Sequence, residues 1–98
     1  MRTGDRPAED HAPDPAAART TEEFVLLLRL LKVWAGDPSL AVLGRRTGHP
    51  TSTLSDALNP RRHRLPPVEL VRDFVLACGR TADEAERWTG VPISRTRR

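Results

Sequence analysis

The sequence predicts an all-α domain of five short helices. Apolar residues recur at spacings of three and four, hydroxyl-plus-carboxylate capping patterns stand before two of the apolar runs, and prolines at 38, 50, 60, 66, 67 and 92 leave pieces too short for anything but compact helices. The period-two alternation of a strand is nowhere convincing.

The segment 1–19 has almost no bulky apolar residue and carries Pro7, Pro13 and Pro15, so it cannot repay the entropy of ordering. It is expected to be a disordered arm, followed by a domain over 20–90 and a basic tail over 91–98. Thr20-Thr21-Glu22-Glu23 is a capping box, which predicts a helix from about Thr21 to Ala35. Beyond Pro38, Ser39 is the N-cap of a second helix in which Leu40, Leu43, Gly44 and Thr47 share one face. Leu54, Ala57 and Leu58 define a third helix between Pro50 and Pro60. Pro67, placed as a first helical residue, opens a fourth whose apolar face is Leu70, Val71, Phe74, Val75 and Cys78, closed by Gly79. A second box, Thr81-Ala82-Asp83-Glu84, starts a fifth helix that runs to about Trp88 and ends at Gly90 and Pro92.

The first helix is apolar around well over half its circumference. Phe24, Leu27, Leu28 and Leu31 make one face, and Leu26, Leu30 and Val33 a second beside it. A surface helix needs only a stripe of about 100°. Either this helix is central, covered on two sides with Trp88 against it, or its second face serves a partner chain, a second copy or another protein. With only Arg29 and Lys32 basic on it, a membrane-surface role ranks last.

Composition sets limits on function. At 98 residues the chain forms one small domain and has little room for an enzyme cleft. Its one cysteine, Cys78, excludes an internal disulfide, and the apolar helix face around it points to a buried, inert thiol. No stretch reaches the roughly 18 apolar residues of a membrane span, and Met1–Arg19 lacks a signal pattern, so a cytoplasmic location is expected. His11, His49 and His63 have no Cys or carboxylate at ligand spacing, which argues against a metal site. No Gly-rich phosphate loop is present. Neither an enzyme nor a cofactor is expected.

Charge is concentrated. Residues 1–20 carry three Arg against four acids, whereas Arg45, Arg46, Arg61, Arg62 and Arg64 face only Asp56 within 45–64, and Arg95, Arg97 and Arg98 follow in the tail. Such a field suits a polyanion, nucleic acid being the commonest, or is a solvated basic surface. Of the 16 basic residues only Lys32 is lysine, which coding bias explains more simply than guanidinium chemistry.

Two short helices joined by Thr47-Gly48-His49-Pro50 have the layout of a helix-turn-helix. That layout needs a small residue where the second helix crosses the first, which is Gly44, and a residue tolerant of positive φ in the turn, which is Gly48. Leu43, Leu54 and Ala57 would fill the wedge between the helices. The stretch from Ser39 to Leu58 resembles the core of the Xre/phage-repressor-type helix-turn-helix family, with Leu43, Gly44, Gly48, Leu54 and Ala57 at its packing positions. With the flanking helices, residues 21–90 look like the variant common in actinobacterial regulators.

The resemblance implies a lambda-repressor-like fold, a nucleoid-associated transcription regulator that binds double-stranded DNA, and a recognition helix over 51–58 in the major groove; one short recognition helix reads too few base pairs alone, so a homodimer is expected. Thr51, Ser52, Ser55 and Asp56 would face bases. Thr53, Arg61, Arg62, His63 and Arg64 would contact phosphates. This sequence departs from the pattern in two ways: no Arg, Gln or Asn stands among the base-facing residues, and Leu40 occupies a position that is often polar. These departures keep open a protein–protein adaptor built on the same fold, or an antitoxin-like regulator.

Overall fold

The computed structural model describes residues 13–91, which form five α-helices and two 3-10 turns, with no strand among them. The helices are α1 (Thr21–Trp34), α2 (Leu40–Thr47), α3 (Thr51–Ala57), α4 (Val68–Ala77) and α5 (Ala82–Thr89); the turns are Pro15–Ala17 and Pro60–Arg62. The expected all-α architecture of five helices is what folds.

Capping fixes the starts of three helices. The Thr20, Ser39 and Thr81 hydroxyls accept from the amides of Glu23, Val42 and Glu84 at 3.1, 3.1 and 3.2 Å. The first box is not fully reciprocal, because the Glu23 carboxylate accepts from the Arg19 amide rather than that of Thr20. Pro67 is the N-cap of α4, one residue earlier in its role than the sequence suggests. At the other end of α4, Gly79 and Arg80 donate to Leu76 and Val75 carbonyls, the paired bonds of a Schellman stop.

The core is a single cluster in which Phe24, Leu28 and Leu31 of α1 meet Leu43, Leu54, Leu58, Leu70, Val71, Phe74, Val75, Ala85 and Trp88. Phe24 and Trp88 stack edge to face with centroids 5.7 Å apart. Arg80 links the ends of α1 and α5: its guanidinium lies 4.5 Å above the Trp34 ring and pairs with Glu84 at 2.7 Å. Cys78 is buried, and burial pushes its thiol up to about 11.

One expectation needs correction, and one of two open alternatives for α1 is decided. The residues before α1 are not wholly a disordered arm: Asp14 caps the Pro15–Ala17 turn, and Pro15 and Ala18 are buried where the turn packs against α5. Pro15 and Ala18 are buried by that contact although neither is bulky; residues 1–12 and the tail from 92 lie outside the described residues. Nor is α1 covered on two sides. Phe24, Val25, Leu28 and Leu31 are buried, whereas Leu26, Leu30 and Val33 are 51%, 52% and 59% exposed. The four other helices are too short to cover both sides of α1, so its second face meets solvent.

Candidate nucleic-acid interface

The candidate surface is built on α2, α3 and the turn after them. Gly44 allows the close approach that sets the two helices: a Cβ there would lie 3.1 Å from the His49 carbonyl oxygen and 3.4 Å from Thr51 Cγ2. Gly48 ends α2 in the left-handed region at φ 82°, its amide donating to the Gly44 carbonyl. The link is then pinned twice. His49 donates its amide to Thr47 Oγ1 at 3.1 Å, and its Nε2 lies 3.0 Å from Asp73 Oδ2 on α4. Leu43 and Leu54 are fully buried between the helices and Ala57 packs against the same cluster, as the spacing predicts.

With Leu54 and Leu58 turned to the core, Thr51, Ser52, Thr53, Ser55 and Asp56 are all exposed. At about 100° per residue, Asp56 stands opposite the Leu54–Leu58 ridge, with Ser52 one turn before it. Pro50 is the N-cap and no side chain bonds the first amides, so the hydroxyls of the exposed Thr51, Ser52 and Thr53 are not spent on capping.

Asn59 redirects the chain after α3. Its side chain accepts from the Arg61 amide at 3.0 Å, an Asx turn that sets up Pro60–Arg62. His63 follows at φ 55° and pairs with Glu22 at the start of α1. The Glu22 carboxyl is held below its ordinary value, first by its own backbone amide and then by the hydrogen bond with His63. This turn carries Arg61 and Arg64 into solvent, and neither pairs with an acid among the described residues. Arg62 instead donates to Asp56 at 2.7 Å, with a groove of about 350 Å³ beside the pair, lined by Thr53, Ala57, Arg64 and Leu65. On α2, Arg45 is exposed, while Arg46 donates to the Ala77 carbonyl at the end of α4 at 2.9 Å.

The structure thus gathers Thr51, Ser52, Thr53, Ser55, Asp56, Arg61, Arg62 and Arg64 beside one another, and ties His63 away toward α1. Leu40 is half-buried and lines a second groove, of about 490 Å³, with Val33 and Ser55. Sequence reasoning missed the carboxylate partners of His49 and His63 and the Asp56–Arg62 pair. Separations of 24, 41 and 6 residues follow no helical period, so nothing in the local pattern announces them. His49 and His63 each meet one carboxylate, and no group of three potential ligands forms among the described residues.

No helix among the described residues is long and apolar enough to cross a membrane. Comparison of the chain with protein-family models, curated proteins and solved structures finds no match.

Proposed function

We propose that this chain is a helix-turn-helix module of the Xre type that binds duplex DNA, with α3 in the major groove and Arg61 and Arg64 on the flanking phosphates. One observation carries the reading: a short helix presents an entirely polar, exposed edge beside arginines that no acid among the described residues neutralises. Hydroxyls suit phosphate and base-edge contacts, and the neighbouring arginines supply sequence-independent attraction. A seven-residue helix spans too few base pairs to select a site alone, so the module acts as a dimer on two half-sites.

Fluorescence anisotropy of a labelled duplex across a salt series tests this. Two arginines per protomer give about four neutralised phosphates in a dimer and a log–log slope of about −3.6, against about −1.8 for a monomer. Arg61→Ala and Arg64→Ala should each flatten the slope measurably, whereas absence of binding at low salt rejects the proposal.

The exposed stripe of Leu26, Leu30 and Val33 favours a second reading, an adaptor that binds another protein through α1. Under that reading Leu30→Asp abolishes partner binding while duplex binding is absent in the parent chain.

A further inference from the structure

The α3 helix supplies no arginine, asparagine or glutamine, the side chains that read bases most strongly, yet the fold brings an arginine to its outermost ridge from outside the helix. Arg62 Nη2 donates to Asp56 Oδ1 at 2.7 Å, and the two side chains remain 50% and 55% exposed. Asp56 is the α3 residue opposite the buried Leu54–Leu58 ridge, so the half-exposed pair lies on the side of α3 turned away from that ridge, at the rim of the groove it shares with Thr53 and Arg64.

We propose that Arg62 and Asp56 act as one unit that reads a single G·C base pair. This rests on the duplex-binding reading above. The major-groove edge of guanine presents two acceptors, N7 and O6, beside the N4 amino donor of its cytosine. The ion pair presents the complement: guanidinium donors beside a carboxylate oxygen. An A·T pair places a thymine O4 acceptor and a methyl group where the carboxylate requires a donor, so it is refused.

The arrangement also resolves why a carboxylate stands on a surface meant for a polyanion. Alone, Asp56 would be repelled by every phosphate nearby. Paired, it forms a neutral unit that adds selectivity with little sequence-independent attraction, and it holds Arg62 in place before the duplex arrives. The backbone under Arg62 is fixed by the Asn59 cap, and the adjoining groove gives the guanidinium room to pivot toward guanine while one edge stays on Asp56.

The test begins with selection of bound duplexes from a random pool by the full chain, followed by anisotropy on duplexes carrying each of the four base pairs at every enriched position. The parent chain should prefer G·C over A·T at one position by about tenfold or more. Arg62→Ala, Asp56→Ala and the double variant should each erase that preference and keep those at other positions, the double losing no more than either single change. The inference is overturned if no G·C position depends on either residue, or if Arg62→Ala weakens all duplexes equally, which would make Arg62 a phosphate contact. Those results leave duplex binding standing; failure of the parent chain to bind any duplex at low salt removes both.

Discussion

Replacing Gly44 with alanine pits helix propensity against crowding, and the structure decides the sign. In an unobstructed helix the change gains about 0.8–1 kcal/mol. Here the new methyl would sit 3.1 Å from the His49 carbonyl oxygen, so that backbone atom must retreat by a few tenths of an ångström. Retreat is resisted by the bond from the His49 amide to Thr47 Oγ1, by the His49–Asp73 pair and by the fixed φ of Pro50. Overpacking of this kind costs about 1–3 kcal/mol. The balance is a loss of about 1 kcal/mol, a fall in melting temperature of about 4–8 °C for a domain of this size. Gly44→Val, which crowds the same oxygen and Thr51 with two further methyls, should lose about 2–3 kcal/mol. Urea unfolding followed by far-ultraviolet circular dichroism measures both. A more stable Gly44→Ala protein would refute the reasoning, since it would mean that the link yields freely. Gly48→Ala is the companion control: nothing lies within 4 Å of its Cβ, so its loss of about 1–2 kcal/mol comes from the left-handed backbone alone.

Three further outcomes follow from burial and charge. Leu28→Ala should cost about 2–5 kcal/mol in urea unfolding, while Leu30→Gln, two residues on but half exposed, should stay within about 0.5 kcal/mol; equal losses would mean that the outer stripe of α1 is covered. Because the Cys78 thiol is raised from 9.0 to about 11, the folded state holds its proton more tightly than the unfolded chain, so stability should decline as pH rises from 9.0 to about 11. Cys78→Ala should remove that slope in unfolding midpoints taken across the range. Glu84 titrates below its ordinary value, chiefly through its hydrogen bond from Arg80, so its contribution is present above pH 4.5 and lost as pH falls through the lowered value. Acid titration followed by tryptophan fluorescence should show a shallower loss of structure for Glu84→Gln than for the parent.

Local rules made the helices legible. Thr20, Ser39 and Thr81 are caps that act within four residues, and Leu43, Gly44, Gly48 and Leu54 satisfy demands set by a three-residue link, so both could be read along the chain. What could not be read was which of two apolar faces of α1 the other helices reach. Leu26 and Leu28 have the same chemistry, and only the lengths and directions of α2 to α5 decide that one meets water and the other is 1% exposed. The same holds for the candidate surface. Exposure of Thr51 to Asp56 follows from the burial of Leu54, but the union of Asp56 with Arg62 depends on how Asn59 and Pro60 turn the backbone. Pro15 and Ala18 escape such reading for a related reason: small residues carry little hydrophobic signal, yet contact with α5 buries them.

The seven residues of α3 borrow their order. Only two helical turns long, started by a proline without a side-chain cap, the segment would be a statistical coil if cut out as a peptide, because nucleating so short a helix in water costs more than its few bonds return. It is helical because Leu54 and Leu58 are gripped by the other helices. Every substitution that loosens that grip, however remote, therefore unravels the polar edge as well, and loss of thermal stability and loss of whatever the edge recognises should track one another across random mutants.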